Sequence, residues 1–277
     1  MWKWQAEGEA KAVVVLVHSA YEQHLRYAWQ IEKWRLAGFH VYTGDLPGHG
    51  VNASEDKVHR ESFDEYEQMI SEMMKRASEN DLPLFVIAHG LGATATMNVL
   101  GNQKIIIAGA IFTSPWLQLK KLPLRSARPF FTITQLIGRK KINHGIELRH
   151  LMRDPLTYSY ETESKLYHSI ITVSWFKELQ NYLKETATAV DAYPQIPTCL
   201  FTAEQDLITQ TETARQWLLK QQLNDFTYKE WHNCYHDLFH EPEKEDIFLA
   251  TQAFIHTVLR SLGYRGEEEN RLRRAVE

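Results

Sequence analysis

Residues 84 to 88 of LPLFVIAHGLGATATMNVL form a short apolar run, His89-Gly90-Leu91-Gly92 is a tight turn, and helix-tolerant residues follow from Ala93. Strand, sharp glycine turn and helix are the setting of a nucleophile elbow, whose pattern is G-x-S-x-G. Here the frame reads Ala88-His89-Gly90-Leu91-Gly92, with Gly90 where the serine would stand. Asp206 follows a late apolar run in LFTAEQDLITQ, and His236 follows the last one in EWHNCYHDLFHEPE. The order nucleophile, acid, histidine suits a triad in which the imidazole takes a hydroxyl proton. The acid fixes its tautomer and stabilises the imidazolium. An oxyanion needs two backbone N–H donors. Leu91, next after the nucleophile position, is one, and the turn His18-Ser19-Ala20 offers the other, with Ala20 the expected donor.

Without Oγ at residue 90 no acyl-enzyme forms there, and the ordinary two-step route is closed. Oxyanion donors and binding alone still accelerate a reaction roughly 10³ to 10⁴-fold over water. The missing side chain is expected to leave room for a water beside His236, attacking under general-base catalysis. By the same reasoning Gly90→Ser is expected to supply Oγ within reach of His236 at a position built for a β-carbon, with Ser19 and Ala88 the residues able to misplace the oxyanion donors or crowd the turn. Ser19, Ser114, Thr94 and Thr96 are read as structural hydroxyls. His89 is expected to fix the elbow, His49 to bond its loop, and Asp45 to make a turn. His232, His236 and His240 are four apart, but Asn233 and Glu241-Pro242 argue for irregular backbone, so no metal site is assigned. No cofactor is expected: Gly44, Gly48 and Gly50 lack both the GxGxxG spacing and a P-loop lysine.

The elements that must position these residues follow from hydrophobic runs. AVVVLV (12 to 17) reads as a buried parallel strand. A helix over 24 to 37 closed by Gly38, a strand over 39 to 45 and a helix over 61 to 79 precede the elbow strand. Beyond it come a strand over 105 to 112, a strand over 197 to 203, a helix near 209 to 222, a strand over 226 to 231 and a helix near 246 to 261. Strands alternating with helices predict an α/β fold with a mostly parallel sheet covered on both faces. Between 115 and 194 the rhythm stops, and no strongly apolar strand is legible. That stretch reads as a helical insertion over the carboxyl ends of the strands, where α/β sheets bind ligands. Within it, Trp175, Phe176, Leu179 and Tyr182 mark one helix face, with core packing the default reading.

Composition narrows the class. The 277 residues are 44% hydrophobic and 24% charged, as in globular proteins, and a net charge of −4 gives no general attraction to nucleic acid. From 115 to 191 there are 12 Lys and Arg against 7 Asp and Glu, a net of +5 against −9 elsewhere. Most of these are read as a solvated surface; the functional alternative is a basic cap making transient contact with an anionic head group or membrane surface. The opening MWKWQAEGEAKA lacks the apolar core of a signal peptide and no apolar run approaches membrane-spanning length, so a cytoplasmic location is expected. Cys199 and Cys234 are read as core fillers or free thiols.

These motifs resemble the monoacylglycerol lipase and lysophospholipase branch of the α/β-hydrolases. The resemblance is carried by MWKWQA, HSAYEQHLRY, GDLPGHG, AHGLG, FTSP, AEQDLIT and YHDLFHEPEKEDIF, from residue 1 to about 260. It implies an α/β-hydrolase core over 1–114 and 195–262, a helical cap over 115–194 and a charged tail over 263–277 outside the match. It further implies an acyl ester or lysophospholipid-like small molecule as substrate, and Gly90, Asp206 and His236 at the triad positions. Three departures stand inside the motifs. The family's usual G-H-S-M-G has Ala88 for its first glycine and Gly90 for its serine, and its H-G after the first buried strand is His18-Ser19. Two readings follow: an ester hydrolase that is impaired or works through water, or a pseudoenzyme that binds a lipid or small molecule without turnover.

Overall fold

A computed structural model describes residues 1–56, 58–120, 138–155, 157, 159, 167, 169–189 and 193–264. Their strands are β1 (Trp2–Trp4), β2 (Ala12–Val17), β3 (Phe39–Thr43), β4 (Leu84–His89), β5 (Gly109–Thr113), β6 (Lys141–Asn143), β7 (Ile170–Thr172), β8 (Thr198–Ala203) and β9 (Phe226–Trp231). The α-helices are α1 (Ala28–Leu36), α2 (Phe63–Ser78), α3 (Gly90–Asn102), α4 (Val173–Thr188), α5 (Thr211–Lys220) and α6 (Lys244–Ser261). Seven strands form one sheet in the order β1-β3-β2-β4-β5-β8-β9, parallel throughout except for β1.

β2 shows why the sheet is central. Its alternate residues serve opposite cores: Val13, Val15 and Val17 pack with residues of α2, α3 and α4, while Ala12, Val14 and Leu16 pack with α1 and α6. All six are fully buried, which accounts for the unbroken apolar run. α2 begins at a capping box, in which Ser62 Oγ accepts from Glu65 N–H (3.3 Å) and Glu65 accepts from Ser62 N–H (2.8 Å).

The structure differs from the sequence reading at three points. The strand expected over 105 to 112 begins only at Gly109, and Ile106, read as buried, is 91% exposed on the connection from α3. β1 was not legible, because Trp2-Lys3-Trp4 is too short to establish a period; it pairs antiparallel with β3 through Trp2↔Thr43. The stretch between β5 and β8 holds, besides α4, the short antiparallel pair β6–β7, in which Ile142 faces Ile171. Trp175, Phe176 and Leu179 of α4 are buried, and Tyr182 stacks on Phe63 at 4.5 Å. Among the described residues no helix is long and apolar enough to cross a membrane.

The first turn of α3 lies against the end of β2. A β-carbon at Gly92 would overlap the His18 carbonyl oxygen and stand 2.9 Å from Val17 Cγ1. Gly92→Ala must therefore push helix and strand apart. We predict a stability loss of about 2 kcal/mol or more, the cost of overpacking a rigid contact. Urea denaturation measures it; an unchanged midpoint would mean that this approach is not fixed.

Candidate active site

β2 and β4 run parallel with Val17 opposite Ala88. Carrying that register two residues further brings Ser19 abreast of Gly90, at the carboxyl ends of adjacent strands. Gly90 has φ +53°, in the left-handed region where a side chain is strained. A β-carbon there would overlap Ser19 Oγ, stand 2.7 Å from Ser19 Cβ and lie 3.1 Å from Trp116 Nε1. The space expected over Gly90 is thus filled by the Ser19 side chain. Ser19 Oγ accepts a hydrogen bond from Leu91 N–H at 3.0 Å. Gly90→Ser alone is not accommodated, and a water beside His236 does not find the expected room.

Asp206 and His236, 30 residues apart in sequence, meet below this point. His236 Nδ1 lies 2.8 Å from Asp206 Oδ2. Its Nε2 accepts from Trp116 Nε1–H at 3.0 Å. Indole nitrogen only donates, so Nε2 is unprotonated and Nδ1 carries the proton towards the carboxylate. Asp206 accepts three further bonds, from Ile208 N–H (2.7 Å), Thr209 N–H (2.8 Å) and Thr209 Oγ–H (2.6 Å). Burial pushes its carboxyl up, but His236 and the hydrogen bonds outweigh burial and hold it below the ordinary value. Ser114 Oγ donates to the His236 carbonyl (2.8 Å), fixing the backbone that carries the ring. Trp116 is tied to the elbow: its N–H donates to Gly90 O (3.2 Å), and its carbonyl accepts from Thr94 Oγ (2.8 Å).

The turn after β2 is equally constrained. Leu46 N–H donates to His18 Nε2 (2.8 Å), so Nδ1 holds the proton and donates to the Ser19 carbonyl (2.7 Å). Ser19 N–H donates to Glu22 Oε1 (2.5 Å). Glu22 also pairs with Arg26, whose Nη2 donates to Asp237 Oδ2 at 2.8 Å. A buried chain of charge therefore joins the Ser19 turn to the loop of His236. Leu91 N–H, one expected oxyanion donor, is taken by Ser19. Ala20 N–H, the other, is buried and donates to none of the described residues. Tyr21, at φ +71°, stacks on His144 (3.7 Å) and packs near Trp116 (5.7 Å) and Trp175 (5.8 Å), so aromatic rings cover the site.

The other histidines that the sequence singled out have separate partners. His49 Nδ1 donates to Pro47 O (2.8 Å) and its Nε2 accepts from Tyr21 N–H (3.0 Å). His89 Nδ1 donates to Thr113 O (3.0 Å). Asp45, read as a turn residue, holds His24 and Val51 N–H. Of the three histidines spaced by four, His232 lies 3.4 Å from Glu204, His236 sits on Asp206, and His240 lies 2.9 Å from Asp237. Sequence reasoning missed Trp116, Glu22 and Arg26. The only signal for Glu22 and Arg26 was the unusual polarity of SAYEQHLRY, all but two of whose residues are buried.

Two outcomes follow. Gly90→Ser should cost about 1–3 kcal/mol through overlap with Ser19, and Ser19→Gly in the same chain should restore most of it. Thermal melting of the four variants in this cycle checks the coupling; independent effects would contradict it. The second concerns pH. Burial lowers His18 to about 4 and His89 to about 3. The unfolded chain takes up these protons near pH 6.5, whereas the folded chain refuses them until far lower. Their contribution is present above about pH 6.5 and lost as pH falls towards the folded values, on the order of 3 kcal/mol for His18 alone by pH 4. The urea midpoint should drop between pH 7 and pH 5; equal midpoints would contradict neutral burial.

The sequence and fold match known proteins over almost their whole length. Residues 8–243 match the family model described as serine aminopeptidase S33, Hydrolase_4. Phospholipase YtpA of Bacillus subtilis (strain 168) is 31% identical over 92% of this chain and 98% of its own. A monoacylglycerol lipase of Mycolicibacterium smegmatis is 21% identical over 91% of this chain and 90% of its own. The crystal structure of Paleococcus ferrophilus monoacylglycerol lipase superposes with a TM-score of 0.80 at 23% identity, covering 93% of this chain and 98% of that one. The sheet order, the elbow and the family match agree: the chain belongs to the serine aminopeptidase S33 family, on the monoacylglycerol lipase and lysophospholipase-like branch of the α/β-hydrolases.

Proposed function

We propose that this protein is a carboxylic-ester hydrolase acting on an acyl chain esterified to glycerol or another small alcohol, with Asp206 and His236 as its acid–base pair. One observation carries the reading: His236 is held as the Nδ1–H tautomer against a carboxylate with four hydrogen bonds, so that Nε2 is its basic nitrogen, bonded by the Trp116 indole that also lies 3.1 Å from a residue-90 β-carbon. That is the arrangement in which an imidazole accepts a proton from a nucleophile and returns it to a leaving alcohol. Gly90 takes the place of the elbow serine; of the two oxyanion donors, Ala20 N–H is open among the described residues, while Leu91 N–H becomes available only when Ser19 Oγ gives up its bond to it. The described residues between 115 and 194 belong to the cap. Among its described cations, Lys141, Arg149 and Arg153 are paired with carboxylates. A preference for an anionic head group or membrane surface therefore falls to the other basic residues of the cap, of which Lys121, Arg125, Arg128 and Lys165 lie outside the described residues.

A second reading, a ligand-binding module without turnover, is favoured by one contact. Trp116 Nε1–H occupies the lone pair of His236 that catalysis requires. Hydrolysis of p-nitrophenyl butyrate and of a monoacylglycerol separates the two. The native protein should turn over ester, and His236→Ala should lower the rate by about 10³-fold, within the usual range for general acid–base catalysis. A rate that His236→Ala leaves unchanged, or a folded native protein with none, would favour the binding module.

A further inference from the structure

Resting on that reading, we propose that Ser19 is the nucleophile: the reactive hydroxyl has crossed from the end of β4 to the end of β2. The register sets Ser19 beside Gly90, and its Oγ fills the volume that a residue-90 side chain would take. Ser19 and Gly90 also exclude each other, because a β-carbon at 90 would overlap Ser19. The exchange of glycine and serine between the two strand ends is therefore one coupled change.

The Ser19 backbone is aimed by two buried bonds, from its N–H to Glu22 and to its carbonyl from His18. Its Oγ accepts from Leu91 N–H but donates to none of the described residues, so its proton is uncommitted. Neighbouring hydroxyls are committed: Ser114 donates to His236 O, and Thr94 to Trp116 O. An elbow uses the N–H of the residue after the nucleophile to hold the oxyanion. The residue after Ser19 is Ala20, whose buried N–H has no partner among the described residues. Ser19 thus carries both features that Gly90 lacks or has lost, a hydroxyl and a free following amide.

Trp116 stands between the two groups, 3.1 Å from the start of a residue-90 side chain and bonded to His236 Nε2. Indole cannot relay the proton, so its ring must leave Nε2 before the reaction. Ser19 Oγ then attacks the ester carbonyl carbon while its proton passes to His236 Nε2. The tetrahedral oxyanion collapses, the C–O bond to the alcohol breaks, and Nε2–H protonates the departing oxygen. Water repeats the sequence on the Ser19 acyl ester, giving its proton to Nε2. On release of the carboxylic acid Ser19 Oγ takes that proton back. Each half-reaction returns His236 to the neutral form that Asp206 holds.

The test treats native protein and the Ser19→Ala, Ser19→Cys, Trp116→Phe and His236→Ala variants with a fluorophosphonate. The phosphonylated peptide is mapped by mass spectrometry, and p-nitrophenyl butyrate hydrolysis is measured in parallel. We expect phosphonylation of Ser19 in native protein, its loss in His236→Ala, and faster labelling in Trp116→Phe. Ser19→Ala should lose about 10³-fold or more in rate, as when a nucleophile is removed. If that variant does not fold, native labelling and the alkylation of Ser19→Cys by a haloketone decide. Labelling of another residue, or His236-dependent turnover retained in Ser19→Ala, overturns the proposal and leaves the hydrolase reading standing. Neither labelling nor turnover in folded native protein overturns both.

Discussion

The parallel register of β2 against β4 is the constraint from which the site follows. Main-chain hydrogen bonds fix Val17 opposite Ala88, and a slip of one residue would turn every buried valine of β2 to the wrong face. Residues 19 and 90 are then neighbours whatever their identity. At adjacent strand ends, about 4.8 Å apart, one side chain has room to stand over the shared space. Glycine at 90 and serine at 19 satisfy that exclusion, and so would serine at 90 and glycine at 19. The unusual elbow is a consequence of what the next strand carries.

The loops bearing these groups are tied to each other by buried charge as well as by apolar contact. Arg26 lies buried between Glu22, which anchors Ser19 N–H, and Asp237, which follows His236. Burial pushes the Asp237 carboxyl up, but His240, Arg26 and His89 outweigh it and hold it well below the ordinary range. Removing one member would leave its partners charged and unpaired in the interior, a loss of about 3–5 kcal/mol. The same network couples the Ser19 turn to the His236 loop, so neither end of the site moves independently.

Much of this was legible before any coordinates. AVVVLV and LFVIAH are long, apolar and bounded by turns, so the strands that set the register declared themselves. Asp206 and His236 each followed a recognisable late strand. What stayed hidden has a common physical origin. The Ser19 side chain occupies space that belongs to residue 90, and no local pattern reveals a contact between residues 71 positions apart. Trp116 reads as one more apolar residue, since its role lies in a donor proton facing His236. Glu22 and Arg26 read as surface charges until the fold buries them against each other. Ile106 failed in the opposite sense: IIIAGAIF looks like one strand, yet its first half connects α3 to β5, with Ile107 buried and Ile106 exposed.

The account stands on where the reacting oxygen is. A crystal structure of the native protein after exposure to an alkyl fluorophosphonate addresses that directly. Continuous electron density from phosphorus to Ser19 Oγ, with Trp116 turned away from His236 Nε2 and Gly90 bare, is the result this account predicts. Phosphorus bonded to any other residue, or Ser19 Oγ turned out of the space over Gly90, would contradict it.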